Sequence, residues 1–402
     1  MEKNQKQHLS ERAVMSSGRG RGPIQIGMHD SEAGGLDRYV HGLCRAFDRM
    51  GEPYHGLVFS RAGDLGTGDL PGGIEVLGGA GDPLWQRWQR IRGVIQRAIA
   101  CQGDPRVVSH FALYGLPATT FWQGRKRIRL ISHFHGPWAD ESAAEGASKV
   151  TVLAKRLMER RVYQRSSHVL SDSEAFRQLA IARYGLRPGR VTVGPMGIDA
   201  VEFGTKALGI SRREARERLG WPVDPGRRIV FCVRRITRRM GLENLIDAVH
   251  ALADSHSELL VMIGGKGPIL DELRARVQRQ GLENQVRLLG FVPDAELPLA
   301  YRAADFTMVP SVALEGFGLV ILESWAAGTP AIVTPVGGMP EVVSPLAPDC
   351  VLEGSGVENL VRGLQEVFRG ARTLPEPEAC VEHVRRAHDW QVAARQILQV
   401  YA

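Results

Sequence analysis

Two carboxylates, Glu315 and Glu323, stand on either side of seven mostly apolar residues in the stretch LEGFGLVILE, and Gly316 and Gly318 flank Phe317 between them. The run reads as a loop at a strand end that turns into a helix near Gly318. The first N–H groups of such a helix, at Phe317, Gly318 and Leu319, have no intrahelical acceptor and suit an anion such as a diphosphate. Glu323 falls on the second turn among Val320, Ile321, Leu322 and Trp325, where a carboxylate is costly unless it meets a hydroxyl or a cation. Each acid has an ordinary explanation: Glu323 as a buried ion pair, Glu315 as a charge near a helix N-terminus, worth about 0.3–1 kcal/mol. Neither explains why both acids, the glycines and the strand end after Pro310–Ser311 coincide.

Other segments carry chemistry at similar places. His133 and His135 lie at the end of the strand-like RLISHFHG, where Pro137 stops the pattern; a histidine there can bond a substrate or move a proton. CVRRITRRMG sets Arg234, Arg235, Arg238 and Arg239 between a strand and a helix, a position that suits phosphate. Gly34 and Gly35 in SEAGGLDRYV stand at a strand-to-helix turn, open to close ligand approach. VMIGGKGPIL places Gly264, Gly265 and Gly267 after a strand, but Leu270 stands where a dinucleotide fingerprint needs glycine or alanine. No Walker-type phosphate loop occurs.

The elements that must position these groups alternate along the chain. From Pro23, β-branched runs (PIQIGMH, YHGLVFS, GIEVLGG, RVVSHFALYG, RIRLISHFHG, SHVLSDS, RVTVGPMGID) are separated by helical stretches, including Glu141–Arg165. A second series (RRIVFCV, ELLVMIGG, QVRLLGFV, DFTMVPS, AIVTPV, DCVLEG) follows the polar stretch Gly204–Arg227. Continuous apolar strands between helices imply parallel sheets covered on both faces. The expected fold class is α/β, with two Rossmann-like doubly wound domains facing a cleft, and ligands outside the strands' carboxyl ends. The expected division is a disordered tail over 1–22, an N-terminal domain over 23–203 that recruits a last helix from 386–402, and a C-terminal domain over 204–385. The chain's 402 residues are enough for two cores.

Composition narrows the class. Apolar residues make up 44% and charged residues 24%, as in globular proteins. No run reaches the ~18 apolar residues of a spanning helix, and the polar, basic N-terminus does not read as a secretory signal. Five scattered cysteines argue against a disulfide framework or a structural zinc site, and read as buried reduced thiols in a cytoplasmic protein. The net charge of +7 admits nucleic acid, an anionic membrane surface or a phosphorylated small ligand.

The run from Glu315 to Glu323, followed by AAGTPAIVTPVGGMPEVV, resembles the E-x7-E signature of the retaining, nucleotide-sugar-dependent glycosyltransferases of family 4, with the GT-B fold. AGGLDRYV, FHGPWADES, SDSEAFRQLAIARYG, VGPMGIDAVEF, GKGPILDEL and GFVPDAELPLAYRAADFTMVPS are similar to the family's other segments in order, so the resemblance covers the chain from about Pro23 onward. It implies that His135 contacts the donor sugar or the reacting centre. Gly34 and Gly35 would lie near the diphosphate and the acceptor pocket, with Arg235 on the diphosphate. Glu315 would hold the sugar hydroxyls, the backbone from Gly316 to Leu319 the phosphates, and Glu323 the ribose. Gly265 would be a tight turn near the donor. Two departures stand out. Met240 occupies a place where the family often has lysine, which makes Arg239 or Arg238 the candidate second cation. Met196 stands where asparagine is common.

The implied activity is retaining transfer of a sugar from a UDP- or GDP-linked donor to a small molecule, a saccharide or a lipid carrier. The donor is a co-substrate, and no resident cofactor or metal is expected, in keeping with the absence of any Asp-x-Asp in the chain. The competing reading is a nucleotide-sugar epimerase or phosphorylase on the same fold. Nucleic acid is not an expected partner. LWQRWQRIRGVIQRA and KVTVLAKRLMERRVYQR, the latter with six basic residues against one acid, fit either surface helices with core aromatics or peripheral contact with the inner membrane face; the former is preferred.

Overall fold

The computed structural model describes residues 22–29, 35–60, 70, 71, 73–121 and 128–402. The expected tail over 1–22 lies, but for residue 22, outside the described residues, as does Gly34. The strands are β1 (Ile24–His29), β2 (His55–Ser60), β3 (Ile74–Gly79), β4 (Arg106–Ser109), β5 (Arg129–Phe134), β6 (His168–Ser171) and β7 (Val191–Val193). They are followed by β8 (Arg228–Val233), β9 (Leu259–Gly264), β10 (Val286–Gly290), β11 (Phe306–Val309) and β12 (Ala331–Val333).

Among the described residues these strands form two sheets, ordered β3-β2-β1-β4-β5-β6-β7 and β10-β9-β8-β11-β12, with every pairing parallel. Both are doubly wound. The strand order reverses between β1 and β4 in the first sheet and between β8 and β11 in the second. Val/Ile/Leu-rich strands such as β9 are buried along their whole length, because helices cover both faces. One core beneath the first sheet gathers Ile26, Phe59, Ile95 and Val107; another, beside the second, gathers Phe231, Leu260 and Tyr301.

The last helix, Trp390–Tyr401, leaves the second half and packs on the helix Gly35–Met50 of the first. It buries Trp390, Ala393, Ala394, Ile397 and Tyr401. A Cβ on Gly42 would lie 2.0 Å from Trp390 Nε1, so only glycine lets the indole seat there. The outgoing and returning crossings pair with each other: Ile198 N donates to His388 O (2.9 Å) and Trp390 N to Ile198 O (3.2 Å). The division expected at 203 falls inside the helix Ala200–Ala207, which packs on the second-half helices Leu297–Ala303 and Leu319–Ala326. The first half therefore ends near 198.

Some local expectations differ. The helix expected over Glu141–Arg165 is two, Trp138–Ala144 and Lys149–Arg165. Gly146 at φ 87° ends the first, with its N–H bonded to Ala143 O, and the Ser148 side chain caps the second. RVVSHFALYG is a strand only to Ser109, then the short helix Ala112–Gly115. DCVLEG contributes one bridge, Val351 to Val333, in place of a strand. The polar stretch 204–227 carries the helix Arg212–Leu219, capped by Ser211. All five cysteines are free, but Cys101 is exposed. Trp85 is also exposed, whereas the Trp88 indole donates to Leu113 O.

Candidate active site

The carboxyl ends of β1, β4, β5 and β6 face those of β8 and β11 across the cleft. Gly35 and Leu319 approach each other from opposite sides: a Cβ on Gly35 would lie 3.7 Å from Leu319 Cδ1.

On the first half's wall, His135 follows the end of β5. Its Nδ1 is 2.9 Å from Asp172 Oδ1, just past β6. A carboxylate there accepts from Nδ1–H; Nε2 is buried without a protein partner among the described residues. Tyr39 packs edge-on against the ring at 4.8 Å. His133 stacks at 5.5 Å, so the two histidines share a side of the strand end. His133 Nε2 bonds Tyr401 Oη (2.8 Å) and His110 Nε2 bonds Gln25 Oε1 (2.7 Å). Burial holds both His110 and His133 well below the usual imidazole range, hence neutral. Nitrogens of His110, His133 and His135 converge within 4.8 Å, the one group of three metal-ligating side chains found among the described residues.

The second half supplies the opposite wall. Leu314, immediately before Glu315, has φ 54°, a left-handed backbone that costs a non-glycine residue of order 1–3 kcal/mol. Arg239 holds this loop: its Nη1 donates to Leu314 O (3.0 Å) and its carbonyl accepts from Val312 N (2.9 Å). Behind it, a Cβ on Gly337 would lie 1.8 Å from Glu315 O. Gly316 faces the first half; a Cβ there would come within 3.1 Å of Asp172 Oδ2. Phe317 is buried edge-on to His388. Gly318, at φ 87°, precedes the helix Leu319–Ala326, which has no side-chain cap, so its first N–H groups await an acceptor.

Glu315 Oε2 accepts from Arg234 Nη2 in a very short contact and from Ser311 Oγ at 3.3 Å. Glu323 is 3% exposed and engaged on both oxygens: Arg38 Nη1 donates to Oε1 (2.5 Å) and Tyr301 Oη to Oε2 (2.8 Å). Arg38 belongs to the first half and also holds Asp294 at 2.5 Å. Glu323 beside it raises the Arg38 guanidinium above its ordinary value.

The expected cations divide. Arg235 is largely exposed and reaches Glu145 across the cleft (3.0 Å). Arg239 approaches Glu141 at 3.5 Å, and burial raises the Glu141 carboxyl against the pull of Arg239 and Arg235. Arg238 turns outward to Glu243 and Glu272 and lines a surface cavity of about 430 Å³ away from the cleft. Gly265, at φ 138°, backs the arginine loop: a Cβ there would lie 1.8 Å from Arg234 O.

Three partners escaped the sequence reading. Asp172 was legible only as an acid at a strand's carboxyl end. Arg38 and Tyr301 have no local signal, because contacts 285 and 22 residues apart make them partners of Glu323.

Two facing doubly wound sheets with a helix start open to an anion between them define the GT-B architecture. A family model described as "Glycosyltransferase Family 4" matches residues 33–202, and "Glycosyl transferases group 1" matches residues 212–386. D-inositol 3-phosphate glycosyltransferase of Corynebacterium glutamicum is 29% identical over 62% of this chain and 60% of its own. Against it and three other curated relatives the matching segment spans 41% to 60% of their own length. Among solved structures, sucrose-phosphate synthase from Thermosynechococcus elongatus superposes with a TM-score of 0.75 at 21% identity, covering 95% of this chain and 98% of that one. Anabaena HepE, in complex with UDP and glucose, superposes at 0.71 with 20% identity over 94% and 99%. The chain belongs to the family 4-like glycosyltransferases.

Proposed function

We propose that this enzyme transfers a sugar from a UDP- or GDP-linked donor to an acceptor hydroxyl with retention at the anomeric carbon and without a metal. The observation that carries this is the placement of Glu315, the open helix start after Gly318 and Glu323 along one wall, opposite the His135–Asp172 pair. A donor laid along that wall would put its sugar at Glu315 and His135, its diphosphate at the N–H groups of residues 316–319, and its ribose at Glu323. The UDP and glucose bound by HepE support the UDP arm.

In this scheme the bond from C1 to the diphosphate oxygen breaks with oxocarbenium character. The acceptor oxygen forms its bond to C1 on the face the diphosphate leaves, and its proton passes to the departing phosphate oxygen. Helix N–H groups and a nearby cation stabilise the charge on that oxygen. Asp172 fixes Nδ1–H of His135 and turns Nε2 towards a sugar hydroxyl. Closure excludes water, the competing acceptor.

The acceptor would meet the first half's segments 60–72, 79–92 and 111–122; the second runs into the helix Leu84–Gln102 and the third holds the helix Ala112–Gly115, and 61–69, 72 and 122 lie outside the described residues. No helix among the described residues is long and apolar enough to cross a membrane. Helix Lys149–Arg165 nevertheless exposes Val150, Leu153 and Leu157 on one face, and its one acid, Glu159, is turned inward. This supports the lipid-carrier class of acceptor and peripheral membrane contact. Flotation with anionic vesicles tests it: binding abolished by Leu153→Asp with Leu157→Asp supports it, and no binding by the parent removes it.

The main test follows donor consumption with UDP- and GDP-sugars, with and without EDTA, and the product anomer by NMR. A retained anomer and indifference to EDTA are expected. Activity lost with EDTA and restored by zinc would turn attention to the histidine cluster. Epimerised donor without any transfer would favour the epimerase alternative, which the family matches do not favour.

A further inference from the structure

We propose that His110, His133 and His135 form a binding site for one zinc ion, and that the bound ion inhibits the enzyme by taking the His135 nitrogen that faces the donor. The site stands on its geometry alone; the inhibition rests on the proposed transfer reaction.

The three histidines come from two neighbouring strands. His110 follows the last residue of β4, His133 is the last residue but one of β5, and His135 follows its end. One ring nitrogen from each lies within 4.8 Å of the others. Every ring has its other nitrogen anchored on a protein oxygen. His110 Nε2 donates to Gln25 Oε1 (2.7 Å), His135 Nδ1 donates to Asp172 Oδ1 (2.9 Å), and His133 Nε2 bonds Tyr401 Oη (2.8 Å). Metal-binding imidazoles are held in this way, because the outer bond fixes the ring and directs its inner nitrogen. The inner nitrogens here are His110 Nδ1, His133 Nδ1 and His135 Nε2. His110 is 2% exposed, and its Nδ1, like His135 Nε2, is buried without a protein partner among the described residues. Buried polar atoms left in this state are costly, and one ion answers both.

The anchors come from three other parts of the chain: Gln25 from β1, Asp172 from just past β6 and Tyr401 from the last helix. Tyr39 lays its ring beside all three imidazoles, at 5.7, 5.3 and 4.8 Å. Ligand type then selects the ion. Three imidazoles with no ligating carboxylate suit zinc and not magnesium or calcium, and leave a fourth position open. The rings stand at 13° to 32° to one another. An ion bonds imidazole in the ring plane, so seating one turns the rings and closes the nitrogens to the ~3.3 Å spacing set by tetrahedral bonds of about 2.0–2.1 Å. His135 lies past the strand end and its side chain is 17% exposed, so it can make most of that movement.

The experiment uses the full chain after treatment with a chelator and gel filtration. Zinc chloride is titrated by calorimetry, with magnesium chloride in parallel, and cobalt(II) replaces zinc for visible spectroscopy. One zinc per chain at micromolar affinity or tighter, no response to magnesium, and the visible bands of four-coordinate cobalt are expected. His110→Asn is expected to weaken zinc at least 10-fold, and Gln25→Leu, which removes only an anchor, about 10- to 100-fold. Melting curves check each fold; should His110→Asn not fold, Gln25→Leu decides. No binding by the parent, or equal binding by parent and variants, would overturn the site. Zinc at about ten times its Kd is then expected to slow transfer about 10-fold when donor is well below KM, as a competitor does by mass action. His110→Asn, compared with its own zinc-free rate, should lose this inhibition, which separates it from zinc held by the donor's diphosphate. A rate unmoved or raised by zinc would overturn the inhibition. A parent that binds zinc but transfers from no nucleotide sugar would leave the site standing and bring down the proposed function instead.

Discussion

Glu315 and Glu323 differ in what already holds them. Glu323 is bonded by a tyrosine and by an arginine from the opposite half, whereas Glu315 is bonded by the buried cation at the strand end. In the proposed donor pose, ribose hydroxyls would replace Arg38 at Glu323, while the sugar would meet Glu315 without breaking its pairing. Glu323→Ala is therefore expected to weaken nucleotide-sugar binding about 10- to 100-fold, from lost bonds to a charged acceptor, with kcat little changed. Glu315→Ala is expected to lower kcat about 100-fold, since it also releases Arg234. Isothermal titration beside steady-state kinetics separates the two; identical profiles for both variants would sink the division of roles. The motif itself was legible in the sequence, because acids, glycines and strand end are local. Which arginine reaches Glu315 was not. Arg234 and Arg235 are adjacent in the chain, and only the direction in which β8 ends decides that one faces Ser311 and the other Glu145.

Among the elements, the helix Lys149–Arg165 carries the clearest titratable strain. Glu159 is fully buried, and burial pushes its carboxyl up to about 7. The N–H of Ala139, at 3.2 Å, satisfies only one of its oxygens. A carboxyl raised on folding favours the folded state at pH values below its unfolded pKa, and that contribution is lost as pH rises towards the folded value. Between pH 4.5 and 7 this costs up to about 3 kcal/mol. Glu159→Gln is expected to remove that part of the pH dependence, raising the melting temperature near neutral pH and leaving it unchanged near pH 4. A parallel pH profile for both proteins would refute it. The sequence showed a lone acid among basic residues; it could not show that the acid points inward, because that depends on where the helix Trp138–Ala144 ends and the chain turns back. Gly146 and Ser148, a helix terminator and a cap, were the local signals of that turn.

At the scale of the molecule, the cleft is bridged by charge. Arg38 meets Glu323 and Asp294, Arg235 meets Glu145, Arg239 approaches Glu141, and the Glu341 carboxylate accepts from the N–H groups of Glu174 and Ala175 (2.7 and 2.8 Å). In the proposed donor pose, the donor would displace at least the first of these. Arg38→Ala is expected to increase the radius of gyration of the ligand-free protein in small-angle scattering and, by removing a group the donor would have to displace, to leave donor binding unchanged or strengthen it a few-fold; an unchanged radius would show that the bridges do not set the closed state. Acid acts on the same half. His110 and His133 are held neutral by burial, and His388 is lowered to about 4. Groups depressed in this way stabilise the fold above about pH 6.5, their unfolded value, and that support is lost as pH falls. Denaturation midpoints should therefore drop steadily below pH 6.5. The two-domain fold was legible, because buried parallel strands announce themselves as apolar runs. The bridges were not, since each joins residues from opposite halves.

The two crossings between the halves are hydrogen-bonded to each other at Ile198, His388 and Trp390. A chain that passes once between two bodies allows bending in any direction. Two antagonistic straps tied at one point behave as an axle: they permit rotation about their common line and resist sliding and separation. Opening of the cleft should therefore be a swing that carries the His135 wall away from the Glu315 loop while their register along the axle is kept. The donor's sugar would meet the same pair of walls at every turnover, however wide the enzyme opens to admit its acceptor.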